Sequence, residues 1–144
     1  MEDTDNLREG RPASDWVRTL SRGDDMARWK AVDALRHIAS PTDTIPLFIE
    51  ALKDADGDVR GLASHALFDM AEHEEFAPLL VDWVRPLAES LCDREVNVAC
   101  NAAFALGALG KPAKAALSAL HFVAECGDEP LREAASEALA KIRV

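Results

Sequence analysis

The 144-residue chain has no tyrosine and few residues that favour β-strands. Val, Ile and Thr together number 17, which equals Leu alone, whereas Ala numbers 26. Because Ala and Leu favour helices and β-branched residues favour strands, this composition predicts an all-α protein.

Basic residues are also scarce. Sixteen Lys and Arg stand against 26 Asp and Glu, which gives a net charge of −10. Broad binding to nucleic acid or to anionic lipid needs clustered Lys and Arg. We therefore expect no nucleic-acid partner and no membrane partner. An acidic surface favours a protein or peptide with basic patches.

Cysteines and long apolar runs are few. The three cysteines are an odd number and form no CxxC pair, so a disulfide scaffold is not expected. The N-terminus shows no basic stretch followed by an apolar one. The longest uncharged run, Val96–Gly110, is too short and too polar to span a bilayer. These features predict a cytoplasmic protein.

One sequence pattern recurs four times after a polar segment, residues 1–11, which we expect to be a flexible N-terminal tail. In each repeat, Ala, Ala, Leu and a further apolar residue occupy positions i, i+3, i+4 and i+7, which form one face of an amphipathic helix. The four sets are Ala31, Ala34, Leu35 and Ile38; Ala63, Ala66, Leu67 and Met70; Ala102, Ala105, Leu106 and Leu109; and Ala135, Ala138, Leu139 and Ile142.

A second apolar pattern precedes each set, with an acidic turn between the two. Its leading residues are Trp16, Phe48, Leu87 and Leu120, and the prolines expected to open these first helices are Pro12, Pro46, Pro78 and Pro112. The sequence therefore predicts eight helices in four hairpins and no strand. The approximate units are 12–40, 41–74, 75–110 and 111–144, named units 1–4 below. Pro86 should kink or split the long first helix of unit 3.

The units resemble HEAT repeats, in particular the short bacterial type of phycocyanobilin lyase subunits. The resemblance rests on Asp58-Val59-Arg60 followed by Ala63, Ala66 and Leu67, and on the run Ala102–Gly110. It implies an α-solenoid, or superhelix, over residues 12–144. Ala99 stands where the other units have Arg28, Arg60 and Arg132, so any arginine ladder between units should be interrupted there.

The candidate binding residues lie on the second helices. Val96–Gly110 lacks any charge, although one side of such a helix usually meets water in a solenoid. Aromatic side chains on that side would suit partner binding, and the candidates are Trp29, His65, Phe68, Cys100 and Phe104. The alternative is that these side chains fill spaces between units.

No catalytic or metal-binding pattern is evident. His65, Asp69 and His73 are spaced to share a helix face, but the helix is expected to end near Ala71, which leaves His73 in a turn. Cys100 has no nearby basic residue to activate it, and no glycine-rich phosphate loop opens a helix. We therefore expect no metal, no cofactor and no enzymatic activity.

The sequence thus favours a non-enzymatic protein-interaction scaffold or adaptor that uses the surface of its second helices. The alternative is a chromophore-lyase-like subunit or another ligand-binding component of a HEAT-repeat enzyme, which only the repeat type implies. The partner, the pathway and the oligomeric state are left open.

Overall fold

A computed structural model describes residues 7–143. It begins with a small antiparallel hairpin of strands β1 (Leu7–Arg8) and β2 (Arg11–Pro12). Glu9 and Gly10 connect the strands, and both have positive φ, as a tight two-residue hairpin turn requires. The prediction that the chain has no strand is therefore wrong. Residues 7–11 of the expected tail form this hairpin, while residues 1–6 lie outside the described residues.

Trp16 explains why so short a hairpin is held in place. The buried indole donates a hydrogen bond from Nε1 to the carbonyl oxygen of Arg8, at 3.3 Å. The guanidinium of Arg11 lies over the same ring, 3.9 Å from its centre, as a cation–π contact. A two-stranded hairpin alone is marginal in water, so these tertiary contacts stabilise it.

Nine α-helices follow within residues 7–143. They are α1 (Ala13–Arg22), α2 (Asp25–Ile38), α3 (Pro41–Ala51), α4 (Gly57–Ala71), α5 (Ala77–Leu80), α6 (Val84–Glu89), α7 (Val96–Leu109), α8 (Leu117–Cys126) and α9 (Glu129–Arg143). Three 3₁₀ segments lie between them, at Val81–Trp83, Ser90–Cys92 and Lys111–Ala116.

These helices form four hairpins that stack in chain order. The second helices α2, α4, α7 and α9 pack successively against one another, and each also packs against the first helix of its own unit. The residues of the repeated apolar pattern are all buried, except for the half-buried Ile38. The prediction of an all-α solenoid of four helical hairpins is confirmed. None of the helices in the described part of the chain is long and apolar enough to cross a membrane.

Acidic side chains begin two of the second helices, as the sequence predicts. The Asp24 carboxylate accepts a hydrogen bond from the Ala27 amide at 2.9 Å, and the Asp56 carboxylate accepts one from the Val59 amide at 3.1 Å. Each bond satisfies an amide that would otherwise lack a partner in the first helical turn.

Prolines shape the first helices, with differences from prediction at Pro46 and at Pro112, which lies in the 3₁₀ segment Lys111–Ala116 rather than at the start of α8. The first helix of unit 3 is split into α5 and α6, as expected from Pro86, and the break lies at Val81–Trp83. Pro86, the third residue of α6, has no amide donor, and its ring crowds the carbonyl of Asp82 four residues earlier, so regular α-helical geometry is interrupted in the turn before it. Pro41, rather than Pro46, opens α3, and Pro46 lies inside that helix.

Candidate protein-interaction surface

An arginine fixes the first junction between units. The Arg28 guanidinium, on α2, contacts the Asp54 carboxylate of unit 2 through Nε–Oδ2 and Nη2–Oδ1 distances of 2.9 Å each. Its Nη1 donates to the carbonyl of Gly23 in its own unit, also at 2.9 Å. The Arg28 guanidinium holds the pKa of Asp54 below its ordinary value. The pair therefore joins the turns that precede α2 and α4.

The second junction repeats this arrangement. Arg60 on α4 contacts the carboxylate of Asp93 at 2.9 and 3.2 Å and donates to the carbonyl of Asp54 at 2.9 Å. Its side chain is only 8% exposed. Hydrogen bonds to Asp93 raise the pKa of Arg60, so the guanidinium stays charged although it is buried.

The third junction has neither partner of this pair. Ala99, which is buried, replaces the arginine in α7. Cys126 lies three residues before α9, where Asp54 and Asp93 lie three residues before α4 and α7. The interruption predicted at Ala99 is thus present, and the acidic partner is missing as well. Close packing joins these units instead, because a Cβ on Gly107 would lie 3.0 Å from the Cα of Ala138.

Two phenylalanines meet on the second-helix layer held by these junctions. The rings of Phe68, on α4, and Phe104, on α7, are 5.3 Å apart between centres and tilted by 37°. Cys100 lies one turn before Phe104 on the same face of α7. All three side chains are half-buried and pack against the core. We call them the aromatic patch.

Exposed carboxylates occur on α9, the second helix next to α7. No charged residue occurs in α7 itself. In α9, the exposed Glu133 and Glu137 occupy the repeat positions of Cys100 and Phe104. Burial raises the pKa of the Cys100 thiol, which keeps it protonated and unreactive at neutral pH. The patch is therefore an uncharged, partly accessible surface, and the next second helix carries carboxylates at the equivalent positions.

His65 lies on α4, three residues before Phe68. His65 and Asp69 are exposed on α4, which ends at Ala71 as predicted. His73 follows the helix and packs edge-on against the ring of Phe76, with the ring centres 5.8 Å apart. Among residues 7–143, no three His, Cys, Asp or Glu side chains come together in a way that could hold a metal ion.

Trp29 lies in a second apolar area, near the start of α2. It is 36% exposed, and Met26, one turn earlier, is 68% exposed. With Asp25, Asp56 and Asp58 they line a groove of about 390 Å³, named here the Trp29 groove. Sequence reasoning missed Met26, although its i, i+3 spacing from Trp29 places both on one helix face.

Gly61 and Asn97 separate the Trp29 groove from the aromatic patch. Gly61 occupies in α4 the repeat position of Trp29 and Cys100. A Cβ on Gly61 would lie 2.8 Å from Nδ2 of Asn97, so the amide group of Asn97 covers this glycine. Trp29 on α2 and the aromatic patch on α4 and α7 are thus two separate apolar areas of the second-helix layer.

Solved structures with this architecture identify the class of the protein as a helical repeat protein. A designed armadillo repeat protein in complex with the peptide (KR)4 is 20% identical and has a TM-score of 0.76, with 93% of this chain and 65% of that chain covered. A computationally designed armadillo repeat protein for modular peptide recognition is 21% identical, with a TM-score of 0.77 and coverages of 92% and 65%. An engineered protein from a structural genomics consortium is 24% identical, with a TM-score of 0.72 and coverages of 91% and 62%.

The sequence identifies the family within that class. It matches the HEAT repeats family over residues 14–86, which is half of the chain, and the chain therefore belongs to this family. The match is to HEAT repeats in general and does not show the phycocyanobilin-lyase type that the sequence resembles. No curated protein matches the sequence. The chain spans less than two thirds of the length of the solved structures named above.

Proposed function

We propose that this chain is a non-enzymatic interaction scaffold that binds a protein or peptide with basic patches on its second-helix layer. The observation that carries the proposal is the contact between Phe68 and Phe104 on two neighbouring second helices. Aromatic side chains that are rigidly supported and partly accessible are frequent anchors of protein interfaces.

Rigidity supports this role. Arg28 and Arg60 pin the turns before α4 and α7, the helices that carry the two phenylalanines. A surface that is already ordered loses little conformational entropy when a partner binds. The two phenylalanines therefore lie on helices whose first turns are already held in place.

Charge supports the choice of partner. The chain carries a net charge of −10, and the α9 carboxylates Glu133 and Glu137 are exposed. A partner segment with Lys or Arg beside an apolar residue would match both the patch and its surroundings. One designed relative by fold is in complex with a (KR)4 peptide and another was designed for peptide recognition, which agrees with such a role for this architecture.

The test compares two matched phenylalanine variants. Phe104 lies in the aromatic patch, whereas Phe122 lies on the first helix α8 and is 61% exposed. In affinity capture from the native cell extract, Phe104→Ser should retain less than about a tenth of the partner that wild type retains. Such a tenfold loss corresponds to about 1.4 kcal/mol of binding free energy. Phe122→Ser should retain it fully.

Circular dichroism of each variant separates binding from folding. If Phe104→Ser keeps its helicity and still retains the partner, the aromatic patch is not the binding site. If Phe104→Ser unfolds, Phe104→Leu keeps the apolar volume and repeats the comparison without the aromatic ring. Incubation with a linear tetrapyrrole, followed by absorbance, tests the chromophore-lyase alternative separately.

A further inference from the structure

We infer that the Trp29 groove receives an arginine side chain of the bound segment. This inference rests on the proposed function and adds a second, chemically specific site to the aromatic patch. Met26 and Trp29 are among the larger exposed apolar side chains of the described residues, and they stand side by side on α2. Their exposure to water is unfavourable until another group covers them.

The carboxylates around the groove are not equivalent. Asp56 caps α4 through its bond to the amide of Val59. Asp25 shares Arg28, at 2.7 Å, with Asp54. The carboxylate of Asp58 is exposed and makes no ion pair or hydrogen bond within residues 7–143. Three aspartates and no basic residue line the groove, so it carries a net negative charge and Asp58 is available to a ligand.

An aromatic face beside a free carboxylate fits a guanidinium better than an ammonium group. The guanidinium is planar and weakly hydrated, so it can stack on the Trp29 ring while its N–H groups donate to Asp58. The methylenes of an arginine side chain would cover Met26 at the same time. A lysine ammonium is strongly hydrated and cannot bond in a fork geometry, so it should bind more weakly.

The layer of second helices sets the distance to the aromatic patch. α2 packs on α4 and α4 packs on α7, so Trp29 and Phe104 lie on helices that are two helix spacings apart. Neighbouring helix axes are about 9 Å apart, and two spacings are about 18 Å. An extended segment covers that length with about five or six residues. The arginine should therefore lie at that separation from the apolar residue that contacts Phe104.

The experiment titrates the ¹⁵N-labelled protein with two octapeptides, one alternating Arg and Ser and the other alternating Lys and Ser. The indole N–H signals report the tryptophans, and loss of one signal in Trp29→Ala assigns Trp29. The Arg peptide should shift the Trp29 signal and bind about threefold or more tighter than the Lys peptide. Trp29→Ala should weaken Arg-peptide binding by about fivefold.

A pair of acidic variants separates a defined site from general charge attraction. Asp58→Asn should weaken binding of the Arg peptide several-fold. Asp82→Asn removes the same charge from the exposed 3₁₀ segment of unit 3 and should change binding by less than about twofold. Equal losses in these two variants, equal binding of the two peptides, or an unshifted Trp29 signal would each overturn the inference.

Failure of this inference is distinguishable from failure of the proposed function. If Phe104→Ser lowers partner retention but the Arg peptide does not reach Trp29, the scaffold function stands and the inference is wrong. If the Arg peptide binds at Trp29 while partner retention does not depend on Phe104, the groove is supported and the aromatic patch is not.

Discussion

The Arg60 guanidinium and the Asp93 carboxylate form a paired contact across the junction of units 2 and 3, with Nε–Oδ2 and Nη2–Oδ1 distances of 2.9 and 3.2 Å. The two side chains are only 8% and 11% exposed. A buried charge that loses its partner is still desolvated but no longer has a compensating attraction. Removal of one partner should therefore destabilise the protein by more than the intact pair stabilises it.

Asp93→Asn should therefore destabilise the protein by about 3 kcal/mol, since it leaves the guanidinium buried without a carboxylate. Urea denaturation followed by circular dichroism measures the change. Asp82→Asn, on an exposed segment, is the control and should change the free energy of unfolding by less than about 0.5 kcal/mol. Similar losses in both variants would show that the Arg60 pair does not stabilise the junction.

Acid should weaken the Arg28–Asp54 junction in a defined pH range. The Arg28 guanidinium lowers the pKa of Asp54 from its ordinary value of 3.8, so the folded state favours the ionised carboxylate. This stabilisation is fully present above the unfolded-state pKa and disappears as the pH falls through the folded-state pKa.

Wild type and Asp54→Asn should thus differ by about 1–2 kcal/mol in free energy of unfolding from pH 7 down to about pH 5. Below about pH 4 the difference should shrink. Urea titrations at several pH values measure it, and a difference that stays constant to pH 2 would contradict the assignment.

Two glycines should respond differently to the same substitution. Alanine gains up to about 1 kcal/mol over glycine within a helix. In Gly107→Ala the new Cβ would lie 3.0 Å from the backbone of Ala138, and overpacking costs about 1–3 kcal/mol. In Gly61→Ala it would meet the Nδ2 of Asn97, the end of a side chain that can move.

Thermal unfolding should therefore show Gly107→Ala as destabilised, by about 1 kcal/mol, and Gly61→Ala as unchanged or slightly more stable. The result would argue against close packing between α7 and α9 if both variants gained stability equally.

The missing pair at the third junction can be rebuilt. Ala99→Arg alone should destabilise by about 3 kcal/mol, because it places a charge at a buried position. Cys126→Asp alone alters an exposed residue and should have little effect. The double variant should recover at least about 1 kcal/mol beyond the sum of the single effects, which a double-mutant cycle measures. Simple additivity would mean that the two positions do not face each other as their equivalents do.

Local pattern predicted much of the fold. The spacing of Ala63, Ala66 and Leu67 identified a buried helix face, and the same spacing in every unit gave the stacking of hairpins. Pro86 indicated the broken helix, because its effect depends on its own backbone.

Features that depend on contacts between distant residues were not predictable in this way. The hairpin at residues 7–12 depends on Trp16 reaching the carbonyl of Arg8. The repeat offset aligns Phe104 with His65, whereas the actual contact of Phe104 is the diagonal one with Phe68. The relative rotation of α4 and α7 decides that contact, and this rotation cannot be deduced from the sequence periodicity of a single helix.

The two kinds of junction also restrict which units can be neighbours in the array. Unit 2 carries both an aspartate that accepts from the unit before it, Asp54, and an arginine that donates to the unit after it, Arg60. Unit 3 carries Asp93 but ends the series with Ala99, and unit 4 has Cys126 in place of the aspartate. A tandem copy of unit 2 would match itself at both ends, whereas a tandem copy of unit 3 or 4 would bring mismatched partners together. Among units 2 to 4, duplication of unit 2 alone therefore keeps the arginine–aspartate pair at the new junction.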